Sequence, residues 1–247
     1  MQVSRSTIFR FLGAWLGLNS RLDKLDVAEI MTRNGWLARL PVEFQREVLA
    51  RAIVYRFSPR ETIYRFGDPP GGIYGLVSGT VTVNMAPSSK APRLVHLGVP
   101  GTWTGEGGFL ARQPRRIELC AVTDTLMLHV PLSVMDEMAA HDPEVVRYVS
   151  LILMMTVDVM IHVIHDLQIR DTTRRIAAVL DRANWSGEDN VPLSQTELGL
   201  MANASRKQVN AALQYFSAAG WITNSYRAIK VLDAVSLQNF SIEPDAP

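Results

Sequence analysis

The chain has 247 residues, of which 47% are hydrophobic and 20% charged, and a formal net charge of +1. That suffices for one large or two modest domains, but near-neutrality removes any global argument for nucleic acid and leaves the case to local clusters. A single cysteine, Cys120, excludes an intramolecular disulfide and an all-cysteine iron–sulfur cluster within one chain, and reads as an intracellular, cytoplasmic protein.

Residues 1–35 read as an N-terminal helical extension. Within it Phe9 to Leu18 (FRFLGAWLGL) is apolar, but it carries Arg10 and is too short for a bilayer. It lacks a small-residue cleavage site and is expected to pack on the protein itself or on a second copy. Pro41 to Ala52 (PVEFQREVLARA) predicts a helix, with proline at its start, an acid in the first turn and Phe44, Val48 and Leu49 at helical spacing. From Ile53 to Val130 the pattern changes to short β-rich runs: IVYRF, ETIYRF, GGIYGLVSGTVTVN, RLVHLGV and ELCAVTDTLMLHV. Clusters such as Gly67-Asp68-Pro69-Pro70-Gly71-Gly72, Ser78-Gly79 and Pro100-Gly101 punctuate them, and many short strands at regular spacing predict a sandwich or barrel.

After Pro131 the chain turns helical. Leu132 to Ala140 predicts a short helix, and Asp142-Pro143 signals the start of a long one that runs to about Gln168. Val145 to Ile164 is apolar nearly all round and is about long enough to span a membrane. Arg147, Asp158 and His162 inside the run argue against lipid. We expect instead two stripes on a soluble helix. One is Ser150, Met154, Val157, Ile161, Ile164 and Gln168, and the other Val149, Ile152, Thr156, Val159 and Val163. One stripe packs on the β-domain and the other on the same helix of a second chain. Arg170-Asp171 reads as a hinge, Thr172 to Asn184 as a helix stopped by Trp185-Ser186-Gly187, and Val191 to Leu193 as a short strand.

Leu193 to Leu213 (LSQTELGLMANASRKQVNAAL) carries the clearest chemistry. Ser194 caps a helix, with Glu197 closing a capping box; Leu198 and Met201 face inward, and Asn203-Ala204 makes the turn. Ser205 caps a second helix that buries Val209, Ala212, Leu213 and Phe216. Its first turns expose Arg206, Lys207, Gln208 and Asn210, side chains suited to guanine and adenine edges when such a helix enters the major groove. Gly220 ends the helix, and Trp221 to Leu232 predicts a hairpin wing with Arg227 and Lys230 for phosphates. Between Asn203 and Lys230 the ionised residues are Arg206, Lys207, Arg227 and Lys230, with no acid.

In order and spacing, several blocks resemble the Crp/Fnr superfamily of transcription regulators, of the cyclic AMP receptor protein-like kind. They are FGDPPGGIYGLVSGTVTV, PGTWTGEGGFLARQPRRIELCAVTDTLMLHVP, the long helix, SQTELGLMANASRKQVNAALQYFSAAGWI and YRAIKVLD. The likeness covers roughly residues 36–233. It implies an α+β chain that is not an enzyme: an N-terminal double-stranded β-helix (jelly-roll, cyclic-nucleotide-binding-like) sensor over 36–142, a dimerisation helix over 143–170 and a winged helix-turn-helix over 171–247. It implies double-stranded DNA and a second copy of the chain as partners, RNA polymerase as a possible further one, and no membrane.

In relatives that bind cyclic AMP, a Gly-Glu pair meets the ribose, and an Arg ten residues after that Glu, followed by Ser or Thr, holds the phosphate. Gly105-Glu106 and Arg116 match, but Ile117 offers no hydroxyl, and Met160 and Ile161 replace the helix hydroxyls that meet the base. The resemblance, with these departures, leaves the protein either constitutive or answering to another signal, a small-molecule effector of unknown kind, with a cyclic nucleotide as the alternative. In the recognition helix Ser205 and Arg206 match the commonest pattern, while Lys207 replaces a Glu and Ala211 a second Arg. A cupin-like metal enzyme is the rival class. It needs clustered ligands, whereas His96 and His129 are isolated on β-runs; His162 and His165, one turn apart, read as packed polar residues, and Cys120 as buried.

Overall fold

The computed structural model describes residues 24–87, 90–184, 190–225 and 228–242. The expectations for Phe9 to Leu18, for the helix stop at Trp185-Ser186-Gly187 and for Arg227 lie outside these residues. The chain divides into two compact units, Met1–Val81 with Gly98–Thr156, and Thr82–Leu97 with Val157–Pro247.

The β-rich runs form the expected strands β1 Ile53–Phe57, β2 Thr62–Tyr64, β3 Ile73–Ser78, β4 Val81–Met85, β5 Arg93–Gly98, β7 Ile117–Ala121 and β8 Thr125–Val130, and Trp103–Thr104 adds a further strand, β6. They lie in two four-stranded sheets, ordered β1-β8-β3-β6 and β2-β7-β4-β5. β8 is a central strand of the first: His129 faces Ile53 of β1 on one side and Tyr74 of β3 on the other. Strand β6 and the single-turn helix α3 (Glu106–Leu110) are too short to show a period and were not expected.

Three helical pieces precede the roll: α1 (Lys24–Arg33), a 3-10 turn (Leu37–Arg39) and α2 (Val42–Arg51). They share a core with the roll that is organised by Trp36, whose ring meets Phe44 edge-on at 5.9 Å and Trp103 at 5.1 Å. Its indole N–H donates to the Tyr148 carbonyl at 2.5 Å. After α4 (Leu132–His141), the Asp142 carboxylate accepts the Glu144 N–H at 2.9 Å. It thereby starts α5, Glu144–Gln168, as the Asp-Pro signal predicts.

Along α5 one expected stripe is covered in part: Val149, Ile152 and Val163 are buried, as is Val145 outside the stripe, while Thr156 and Val159 are half-buried. The other is not. Met154 is 55% exposed, Ile161 57% and Ile164 57%. His162 and His165, expected as packed residues, are exposed as well, because they fall on the open side of the helix.

The second unit contains α6 (Thr172–Ala183), β9 (Asn190–Val191), α7 (Gln195–Met201), α8 (Arg206–Ala218), β10 (Ile222–Ser225), β11 (Ala228–Val231) and α9 (Ala234–Ile242). Its sheet runs β10-β11-β9. Ile176, Leu180, Leu198, Val209, Leu213, Phe216, Ile222 and Ile229 form one core, which Leu94 and Leu97 of β5 complete. That contribution explains why residues 82–97 fall in this unit.

An ion pair is buried beside this core. Arg182 donates from Nε to Asp166 at 2.8 Å, and its Nη1 lies 3.0 Å from His96 Nδ1. Burial first, and the Arg182 charge second, push the His96 imidazole down to about 3. The unfolded chain takes up that proton near pH 6.5 and the folded chain only near pH 3, so the contribution of neutral His96 to stability is present above 6.5 and is lost as pH falls below it. Urea unfolding between pH 7 and pH 5 should therefore show stability falling on acidification. In His96→Asn the slope should be shallower by up to about 1.4 kcal/mol per pH unit, the linkage of one proton.

Candidate nucleic-acid interface and roll interior

The roll interior is built around Glu106 and an arginine. Gly105 stands at φ +102, a left-handed conformation that glycine adopts without strain, and starts α3. A Cβ there would collide with Arg115 Nη1 and lie 2.8 Å from the Gly72 carbonyl, so the glycine also makes room for the guanidinium. The Arg115 guanidinium lies 4.4 Å over the Tyr64 ring and 5.5 Å from that of Tyr74, and donates to the Gly105 carbonyl at 3.4 Å. Tyr74 in turn stacks on His129 at 4.3 Å.

Arg116, ten residues after Glu106, is exposed, and the arginine beside Gly105 is Arg115, one residue earlier. The reason lies in the backbone just before β7. Arg115 is tied to the Gly67–Asp68 segment by its N–H to the Asp68 carbonyl and by its own carbonyl from the Gly67 N–H, each 2.8 Å, and the chain bends at Arg116 before β7 begins at Ile117. Counting along the chain misses this bend.

Burial pushes the Glu106 carboxyl up, against the pull of its backbone hydrogen bonds and of Arg115. It also pushes the Tyr64 and Tyr74 phenols up. His129 is pushed down to about 4, by burial and then by Arg115, and neither of its ring nitrogens has a hydrogen-bond partner among the described residues. A buried cation walled by aromatic rings suits an anion or a planar group. Cys120 is half-buried, and burial together with Glu118 pushes its thiol up, away from the reactive thiolate.

In the second unit both helices of the predicted pair start as expected. Ser194 and Glu197 close a capping box on α7, with Ser194 N–H donating to the Glu197 carboxylate at 2.8 Å. The turn places Asn203 at φ +46, and a Cβ on Gly199 would lie 2.9 Å from the Ala204 carbonyl, so this approach of turn to helix depends on a glycine. Ser205 caps α8 in a second capping box, which the sequence reading did not identify. Gln208 Oε1 accepts the Ser205 N–H at 2.9 Å and the Ser205 hydroxyl at 2.8 Å, and its Nε2 donates to Thr172 Oγ1 at 3.2 Å. Ser205 and Gln208, both expected to meet DNA, thus hold the helix start with their polar atoms.

Arg206 and Lys207 are exposed on the first turn of α8, Asn210 is half-buried one turn on, and Gln214 extends the exposed face. Val209, Ala212, Leu213 and Phe216 are buried beneath. Gly220, at φ +78, ends the helix and leads into the β10–β11 wing. Lys230 is exposed on β11.

Comparison with known proteins gives the same two parts. Residues 54–142 match the cyclic nucleotide-binding domain family, and residues 174–240 the Crp-like helix-turn-helix domain family. A CRP-like cAMP-activated global transcriptional regulator of Mycobacterium tuberculosis is 24% identical over 190 residues, 73% of this chain and 84% of that protein. Among solved structures, FixK2 from Bradyrhizobium japonicum shares the fold at TM-score 0.66 and 19% identity, covering 78% of this chain and 99% of its own. The c-di-GMP responsive global regulator CLP of Xanthomonas campestris does so at TM-score 0.60 and 19% identity, covering 77% and 99%. A roll with a Gly-Glu helix start, followed in the chain by a capped, basic helix-turn-helix with a wing, and matched by both family models, makes this chain a member of the Crp/Fnr superfamily of DNA-binding transcription regulators.

Proposed function

We propose that the protein acts as a homodimer that binds an inverted-repeat operator, with the roll interior as its effector site. One observation carries the DNA reading. The first turns of α8 present Arg206, Lys207 and Asn210 outward from a helix whose opposite face is fully buried. Arg206 and Lys207 suit guanine edges and Asn210 adenine. Lys230 on the wing suits phosphate, and Arg227, outside the described residues, is assigned the same role. Ser205 and Gln208 serve the interface by shaping the helix start. The protein would work in the cytoplasm, where DNA and RNA polymerase are met.

Helix α5 supports the second copy. By length and composition this helix also passes as a membrane span. Arg147, Asp158 and His165 are spread along its exposed side, however, and lipid disfavours each. A matching apolar stripe on another α5 would cover Met154, Val157, Ile161 and Ile164, which are exposed in the single chain. Light scattering at micromolar concentration should give twice the 27.5 kDa of one chain, and Ile161→Asp should return the monomer. A monomeric wild type would remove the dimer.

Arg115, rather than Arg116, is the cation assigned to the effector. Its guanidinium is already covered by Tyr64 and Tyr74, and Arg116, the residue that follows it, adds no hydroxyl. Cyclic AMP should therefore bind weakly or not at all in calorimetry. The second reading, a cyclic nucleotide effector, is favoured by Gly105-Glu106 lying beside Arg115. A micromolar or tighter complex that is lost in Arg115→Ala and kept in Arg116→Ala would establish that reading instead.

Selection from random duplexes, followed by titration over a range of salt, tests the DNA-reading residues. Arg206→Ala should cost about 1–3 kcal/mol on the selected site and relax preference at one position per half-site. Lys230→Ala should weaken all duplexes alike and flatten the salt dependence by about one unit, the share of a single neutralised phosphate. Unchanged affinity and preference in Arg206→Ala would show that α8 is not the reader.

A further inference from the structure

Arg175 lies on the first turns of α6, outside every motif singled out in the sequence. Its guanidinium is spent on the ends of other elements. Nε donates to the Ala202 carbonyl at 2.6 Å, Nη1 to the Ile169 carbonyl at 2.5 Å, and Nη2 to the Asn203 carbonyl at 3.4 Å and to Thr172 Oγ1 at 3.3 Å. Ala202 is the C-terminal cap of α7 and Asn203 the left-handed residue of the turn before α8. Ile169 follows the last residue of α5. Helix C-termini leave carbonyls without intrahelical partners and carry the negative end of the dipole. One planar fork of donors therefore ties the end of α5 to the end of α7. The tie continues into α8, because Thr172 Oγ1 also accepts the Gln208 side chain, which in turn holds Ser205.

We propose that Arg175, acting through Thr172 and Gln208, is the positioning residue that holds the recognition helix α8 in a set orientation to the end of α5. In a two-fold dimer built on α5, that orientation decides the distance between the two recognition helices. Arg175 thereby sets which half-site spacing the protein accepts, while Arg206 and its neighbours set which bases are read. This inference rests on the dimeric DNA-binding reading above. A lysine cannot replace the arginine, since an ammonium is a point donor without the fork that reaches carbonyls on two elements at once.

The test uses full-length protein and duplexes carrying the selected half-site as an inverted repeat, with the spacer varied one base pair at a time. Wild type should prefer one spacing. Arg175→Ala should still melt cooperatively and keep the base preference within each half-site, while its preference among spacings falls on the order of tenfold as several hydrogen bonds are removed. Arg175→Lys should not restore it. Thr172→Val, nearly isosteric and without the shared hydroxyl oxygen, should lose part of the spacing preference with little change in melting. Arg206→Ala should do the converse, keeping the spacing and losing the base. If Arg175→Ala fails to fold, Thr172→Val decides. Folded variants at 172 and 175 that keep the wild-type spacing preference overturn the proposal and leave the DNA reading standing. A wild type that prefers no inverted repeat overturns both.

Discussion

A helix that is apolar on two faces needs two partners, and the architecture of this chain follows from how α5 meets that requirement. Over its 25 residues, Val145, Val149 and Ile152 are covered within the first unit and Val163 within the second. The carbonyl of Tyr148 on the same helix receives the indole N–H of Trp36, so the segment before the roll is pinned to the helix that follows it. Met154, Ile161 and Ile164 remain uncovered, because none of the described residues is placed to cover them. An exposed apolar stripe of this length is a recurrent mark of association.

The roll shows how a charge is kept in an apolar interior. Arg115 is buried, and its neighbours are two tyrosine faces, a backbone carbonyl and, at longer range, the Glu106 carboxyl. Ring quadrupoles and an aligned carbonyl lower the cost of burying the guanidinium. Burial, and then the Arg115 charge, push the neighbouring His129 imidazole down to about 4. A ligand entering this interior has to compete for Arg115 with the tyrosines and the Gly105 carbonyl. That is a different problem from filling an open phosphate cradle.

The second unit relies on local chemistry repeated twice. Each helix of the pair begins with a serine whose side chain caps it and a long polar side chain three residues on that caps back. Asn203 and Gly199 allow the turn between them. The buried Asp166–Arg182–His96 group is the costly part. Removing either ion would leave the other uncompensated in the interior, so it holds β5, the end of α5 and α6 together only as a complete set.

The longer strands of the roll, the long helix, the helix-turn-helix and the wing were legible in the sequence, because each rests on neighbours a few residues apart. Alternation, a proline or serine at a helix start, and a glycine at a helix end act locally and need no knowledge of the fold. Ser194 with Glu197 and the burial of Val209, Leu213 and Phe216 belong to that class. The sequence also identified Gly105-Glu106, but counting residues led to Arg116, because a spacing in number does not say where the backbone bends. Helix α3, strand β6 and helix α9 were missed, the first two being too short for any period. Only the tertiary structure placed Arg115 over Tyr64 and Tyr74, joined His96 to Arg182 across 86 positions, and brought Arg175 to the carbonyls of Ile169 and Ala202. Those pairings join groups whose separation in sequence carries no regularity, so the packing of whole elements decides them.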